Sequence, residues 1–174
     1  GVDPSCFVVV DPYARDLPVG VVHIDDSRTV KHRFSTAILA IKPQLFAETA
    51  SDIERLLTPD ALVFSILAGT RLAALEGALP DRNIIRLMPN LAAAIGKSPM
   101  GIFTSAALDK ASIERLVRPL GTAFWLASED EMDAVTALAG SGPAFVYRFI
   151  DALAHAGKEL GLDDATALGL AKAM

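Results

Sequence analysis

Up to about residue 127 this chain alternates short β-branched and aromatic runs with longer stretches at helical spacing, and after that the strand pattern stops. The runs predict strands over Phe7–Val10, Val19–Ile24, Thr36–Ile41, Leu62–Leu67, Asn83–Leu87, Met100–Thr104 and Thr122–Leu126. Apolar residues at helical spacing predict helices over Pro43–Leu57 and Asp109–Leu120. The strand runs are nearly continuous apolar segments, as expected of parallel strands covered on both faces. Strands alternating with helices define an α/β fold, a doubly wound and mostly parallel sheet. At Ser128-Glu129-Asp130-Glu131 a capping box opens a helical region that runs to Met174 with one break. The sequence therefore divides into an α/β domain over 1–127 and the beginning of an all-helical domain over 128–174.

The break falls at Ala137-Leu138-Ala139-Gly140-Ser141-Gly142-Pro143-Ala144. Two interior glycines, a serine and a proline would cost a continuous helix about 5 kcal/mol, comparable with the net stability of a domain. A helix rupture is expected there, with Pro143 in the first turn of a restarted helix and Ser141 or Gly142 capping it. The uncharged run Ala134–Tyr147 is 14 residues long, short of the roughly 18 a membrane span requires, and is expected to be buried in protein. Small residues at such a break let a ligand or a second backbone approach closely. A kink that only serves packing is the alternative.

A length of 174 residues suits one domain and the start of a second. Hydrophobic residues make up 52%, much of it alanine, which suggests close helix packing and an oligomer. A net charge of −5 without any cluster of Lys or Arg argues against nucleic acid or an anionic membrane as partner. An interior small-molecule site is the expectation. Cys6 is the single cysteine, so no disulfide or cysteine-based metal site is available; a buried structural thiol and a reducing cytoplasm are expected. The chain starts without Met and lacks a basic-then-apolar leader, and it reads as a piece of a longer protein.

Candidate site residues lie at the carboxyl ends of the predicted strands, where doubly wound folds bind their ligands. Asp11 ends the first, in the place where such folds set the carboxylate that binds the adenosine ribose; the alternative is an Asp-Pro turn. An aspartate there favours NAD by repelling a 2′-phosphate, and Arg15 offers an offset. Lys42 leaves the third strand, followed by Pro43 at a helix start, which structure alone explains. Ser65-Ile66-Leu67-Ala68-Gly69 ends the next with small residues that would admit a flat ring. Arg86 and Asn90 end another; a salt bridge at the sheet edge and a helix cap are their structural alternatives. His23, His32 and His155 have no metal spacing and read as surface or packing residues, and Trp125 and the phenylalanines read as core. No metal site and no catalytic nucleophile can be assigned.

Taken in order, Leu39-Ala40-Ile41-Lys42-Pro43-Gln44, Ser65 to Gly69, Arg86-Leu87-Met88-Pro89-Asn90 and Ala137 to Ala144 resemble the signature segments of the pyrroline-5-carboxylate reductases. The resemblance runs from Phe7 onward and includes the Ala-rich helix ending in Gly161-Leu162. It implies a Rossmann-like dinucleotide-binding domain and a helical dimerisation and substrate domain. It also implies a cytoplasmic homodimer or larger homo-oligomer that reduces 1-pyrroline-5-carboxylate to L-proline with NADP or NAD, the last step of proline biosynthesis. By the resemblance Ala40, Lys42 and Pro43 line the nicotinamide ribose, and Ala68 and Gly69 the nicotinamide with Asn90 beside it. Gly140, Ser141, Gly142 and Pro143 then shape the join between the domains near that ring.

Three departures qualify the resemblance. The family's first βα unit with its Gly-rich phosphate loop is missing, since Gly-x-Gly occurs only at Gly140–Gly142. The later Thr-containing loop of the helical domain is missing too, so this chain alone is expected to be inactive. Asp11 stands where many relatives carry residues suited to NADP, which leaves the coenzyme preference open. The alternatives are a related imine or keto reductase of the β-hydroxyacid dehydrogenase type, which would need a catalytic Lys where only Lys158 and Lys172 occur, and a non-catalytic nucleotide-sensing or dimerisation module.

Overall fold

A computed structural model of the chain describes residues 3–13 and 16–174; Arg15 lies outside the described residues. By its contacts the backbone groups into two compact units, Gly1–Arg86 with Thr104–Ala107, and Leu87–Phe103 with Leu108–Met174.

In the first unit β1 (Val8–Val10) pairs in parallel with β2 (Val22–Ile24). A second parallel set runs β3 (Phe34–Leu39), β4 (Leu57–Ser65) and β5 (Asn83–Met88), whose last two residues pass into the other unit. Every predicted strand of this unit is present, with ends moved by a few residues. β4 begins earlier than predicted because Thr58-Pro59-Asp60 forms an irregularity that the apolar pattern skips: the register jumps from Phe34↔Leu57 to Thr36↔Leu62. The Asn83 amide donates to the Asp60 carbonyl, 2.9 Å away, and secures the irregularity. Between β3 and β4 lies α1 (Phe46–Arg55), which turns Phe46 and Ala50 inward. Between β4 and β5 lies α2 (Leu72–Ala78), which the sequence reading missed. Seven residues are too few to show a period, and α2 is held instead by buried Leu72 and Leu75. Leu75, Leu79 and Ile85 are fully buried, each contributing about 1.5–3 kcal/mol by leaving water.

Of the strands in this unit, β4 and β5 are covered on both faces over most of their length. β3 alternates partly exposed positions, and in β1 no residue is fully buried, which corrects the expectation of buried strands throughout. Arg86, whose structural alternative placed it at the sheet edge, is only 3% exposed within β5. Cys6, expected to be buried, is exposed in a 3-10 turn over Pro4–Cys6 too short to form a core of its own.

In the second unit β6 (Ser98–Phe103) pairs in parallel with β7 (Gly121–Trp125). They are joined through α3 (Lys110–Val117), which Asp109 caps through the Ala111 and Ser112 N–H groups. Trp125 is half-buried rather than core, with its indole N–H donating to Glu114 Oε1 at 2.7 Å and the Lys110 ammonium 4.7 Å from its ring centre. The phenylalanines are likewise divided: Phe46 and Phe64 are buried, Phe124, Phe145 and Phe149 exposed.

After β7 everything is helical: α4 (Glu131–Val135), a π-turn over Thr136–Gly140, α5 (Gly142–Glu159) and α6 (Asp164–Ala173). The predicted capping box at Ser128 is not formed. Glu131 accepts the Ala127 N–H at 2.9 Å, but no side chain caps the helix from Asp130. The predicted rupture is absent, because the backbone keeps right-handed helical angles through Ser141 and accommodates the break by widening. The Ser141 N–H reaches five residues back to the Thr136 carbonyl, 3.0 Å away. Pro143 does lie in the first turn of α5, as predicted. Ser141 supplies no side-chain cap.

Asp163 caps α6 through the Ala165 and Thr166 N–H groups. Where α5 and α6 pack, a Cβ on Gly157 would lie 3.2 Å from that of Ala167. The rest of α5 contradicts the expectation of burial. Phe145 is 72% exposed, and Tyr147 and Phe149 are similarly open, with no element among the described residues covering them. No helix among the described residues is long and apolar enough to cross a membrane.

Candidate functional site

In the first unit the chain leaves adjacent parallel strands at two neighbouring places. The Ile66 N–H donates to the Leu39 carbonyl at 3.1 Å and extends the ladder one step past the end of β4. Beyond it Ala40 and Lys42 emerge from β3, both exposed, and Pro43 opens a 3-10 turn that leads into α1. The Lys42 side chain makes no capping bond, and its carbonyl takes the Leu45 N–H at 2.9 Å. From β4 the buried Ser65 hydroxyl accepts the Leu67 N–H at 3.4 Å, and a turn closes from the Thr70 N–H to the Leu67 carbonyl, also 3.4 Å. Gly69 takes φ +71° in this turn, a conformation that favours glycine. Ala68 and Gly69 are exposed, and nothing stands within 4 Å of where a Gly69 Cβ would be. Two strand ends thus carry alanine and glycine side by side, with open space at Gly69.

Asp11 follows β1 on the two-stranded sheet and is exposed. Its Oδ1 accepts the Tyr13 N–H at 2.7 Å, so the Asp-Pro turn offered as its structural alternative is present as an Asx turn, which leaves Oδ2 outside that bond. The Asp11 carbonyl meets His23 Nε2 at 2.7 Å. His32 packs edge-on against Phe34, and His155 pairs with Glu159 on the surface, so these two are packing and surface residues as read. Among the described residues no three His, Cys, Asp or Glu side chains gather as a metal site.

In the second unit Asn90 is the helix cap that was its structural alternative. Its Oδ1 accepts the Ala92 N–H at 3.0 Å, at the start of a 3-10 turn over Leu91–Ile95. It is also more than a cap. Its Nδ2 donates to the Ala139 carbonyl at 2.9 Å, across 49 residues of sequence, and so brings the Met-Pro-Asn turn against the segment entering Gly140-Ser141-Gly142-Pro143. Its backbone N–H donates to the hydroxyl of fully buried Ser98 at 2.9 Å. Ser98 was not identified from the sequence; nothing in its neighbourhood marks it, since its role depends on a fold-back eight residues long. The structure thus gathers Ala40, Lys42, Pro43, Ala68 and Gly69 in one unit, and Asn90 with Gly140 to Pro143 in the other. Asp11 stands apart on its own sheet.

Parallel strands alternating with helices and followed by a helical segment make this a Rossmann-like α/β protein with a helical extension. Residues 129–174 match the family model described as pyrroline-5-carboxylate reductase dimerisation. The chain is 35% identical over 170 residues to a pyrroline-5-carboxylate reductase of Methanosarcina acetivorans, a match covering 94% of this chain and 62% of the relative. It is 42% identical over 137 residues to pyrroline-5-carboxylate reductase 2 of Bacillus subtilis, covering 76% of this chain and 49% of the relative. Among solved structures, a pyrroline-5-carboxylate reductase from Coxiella burnetii superposes with a TM-score of 0.78 at 30% identity, covering 88% of this chain and 58% of that one. The chain belongs to the pyrroline-5-carboxylate reductase family, and it spans from 49% to 62% of the length of these curated relatives.

Proposed function

We propose that the protein reduces 1-pyrroline-5-carboxylate to L-proline, the last step of proline biosynthesis, with NADPH or NADH as reductant. The observation that carries this reading is the pair of neighbouring strand ends, exposed at Ala40 and Lys42 and at Ala68 and Gly69 with open space at Gly69, in a chain whose relatives bear this reductase's name.

When bound, the reduced nicotinamide supplies the hydride that the imine carbon accepts. Ala40, Lys42 and Pro43 hold the adjoining ribose, Ala68 and Gly69 present a flat wall to the ring, and Asp11 takes the adenosine ribose hydroxyls. Gly140, Ser141, Gly142 and Pro143 shape the substrate side. With the substrate already protonated on its imine nitrogen, hydride addition to carbon turns C=N–H into C–N–H without a further proton, so no nucleophile or metal is needed from the protein. What the chain contributes is alignment of two rings and exclusion of water.

For this function the chain divides near residue 128, into a dinucleotide-binding part over 1–127 and the start of a helical substrate and dimerisation part over 128–174. The family match over residues 129–174 supports that division. The exposed apolar face of α5 supports a homodimer or larger homo-oligomer. The cytoplasm is the proposed location.

Thermal-shift screening of the full-length gene product against NADH, NADPH and L-proline, followed by imine-dependent oxidation of the coenzyme, tests the reading. Stabilisation by both coenzyme and L-proline, with turnover of the imine, is the expected result. Stabilisation by nucleotide alone without turnover would overturn it in favour of a sensing module.

A further inference from the structure

We infer that Asn90 is a positioning residue for the Gly140–Pro143 segment, its side-chain amide replacing the hydrogen-bond donor that Pro143 removes from the helix. In an α-helix the Ala139 carbonyl would receive the N–H of residue 143, and proline has none. The next donor along, the Ala144 N–H, is spent on the Ser141 carbonyl at 3.0 Å. Asn90 Nδ2 fills the vacancy from outside the helix at 2.9 Å.

The donor is itself held rigidly. Asn90 Oδ1 is committed to the Ala92 N–H at 3.0 Å, and the Asn90 backbone N–H to Ser98 Oγ at 2.9 Å. Ser98 is fully buried, and its hydroxyl donates a hydrogen bond to the Pro99 carbonyl at 3.1 Å. The side-chain oxygen and nitrogen of Asn90 thus each have a distinct partner, and only an amide serves both. An aspartate keeps the cap on Ala92 but sets a carboxylate oxygen against the Ala139 carbonyl, where two acceptors repel. By holding Ala139, Asn90 fixes the π-turn whose last bond runs from the Ser141 N–H to the Thr136 carbonyl. It thereby sets the backbone of Gly140, Ser141 and Gly142. Its importance for catalysis rests on the proposal that this segment faces the substrate; its structural role does not.

Amide hydrogen exchange on the full chain tests the structural role, comparing wild type with Asn90→Asp and with Asn90→Asp/Pro143→Ala. In Asn90→Asp, protection of the Ser141 amide is expected to fall about tenfold while that of Ile85 in β5 is unchanged. Pro143→Ala returns an N–H to the Ala139 carbonyl and is expected to bring the Ser141 protection back. Unchanged protection at Ser141, an equal loss at Ile85, or no recovery in the double variant overturns the inference. If Asn90→Asp does not fold, folding of the double variant supports it and failure of both overturns it.

In the full-length gene product, Asn90→Asp is expected to lower kcat/KM for the imine about tenfold with the KM for coenzyme unchanged. A rise confined to the coenzyme KM would make Asn90 a direct coenzyme contact and overturn the positioning role. If the wild-type product oxidises no coenzyme with the imine, the reductase reading fails while the exchange result stands by itself.

Discussion

Gly121 and Ser98, the first pair of the β6–β7 ladder, approach so closely that a Cβ on Gly121 would lie 2.1 Å from the Ser98 carbonyl oxygen and 2.4 Å from its nitrogen. Gly121 also takes φ +143°, which side-chain-bearing residues rarely adopt. Gly121→Ala therefore meets both a backbone clash and a strained φ, and is expected to lose about 3 kcal/mol of stability or more. Urea denaturation measures this through the midpoint at constant m. A loss under about 1 kcal/mol would mean that the strands separate at little cost.

Acid should weaken the helix and turn caps. Asp163 and Asp109 hold their carboxyls below the usual 3.8, chiefly through the Thr166 and Ser112 hydroxyls respectively, with backbone N–H groups adding to the effect. Asp26 falls to about 2, first through the Arg28 side chain and then through the Arg28 N–H. These depressed groups stabilise the fold while ionised, and that stabilisation is lost as pH drops from 3.8 toward about 2. Thermal midpoints should fall through this window, and Asp163→Asn, which caps without titrating, should fall less. An Asp163→Asn protein as acid-sensitive as wild type would remove Asp163 from the account.

Phe145 and Phe149 stand one helical turn apart on α5, both largely exposed. If self-association covers this face, Phe145→Glu/Phe149→Glu should shift the full-length protein from oligomer to monomer in sedimentation velocity, with the α/β part still folded. Persistence of the oligomer would place the interface elsewhere.

Gly142 has nothing within 4 Å of where a Cβ would stand and no positive φ, so the first atom of a side chain meets no clash among the described residues. Gly142→Leu should leave the thermal midpoint nearly unchanged, yet reduce turnover of the imine by about tenfold or more through obstruction of the substrate. Full activity would return the segment to a packing role.

Asp11 carries an exposed carboxylate whose Oδ1 is tied to the Tyr13 N–H. Asp11→Ser removes a charge that repels a 2′-phosphate, and should raise the NADPH-to-NADH ratio of kcat/KM about tenfold. An unchanged ratio would show that the adenosine ribose binds away from this turn.

Much of this molecule was legible before folding. The strands were visible because buried parallel strands are written as apolar runs, and Asn83–Met88 is the clearest case. That Pro143 brings no N–H of its own was legible too. Other features depended on neighbours distant in sequence. The exposure of α5, the burial of Arg86 and the openness of Cys6 follow from which elements lie alongside, and no local pattern encodes that. The rupture predicted at Gly140 to Pro143 became a π-turn for the same reason, since its cost was reckoned for an isolated helix.

Local sequence thus determined where the helix would lose a hydrogen bond, through backbone chemistry confined to five consecutive residues. Only the tertiary structure decided that Asn90, 49 residues before Ala139, would supply the replacement. Hydrogen bonds act over about 3 Å of space and take no account of separation along the chain.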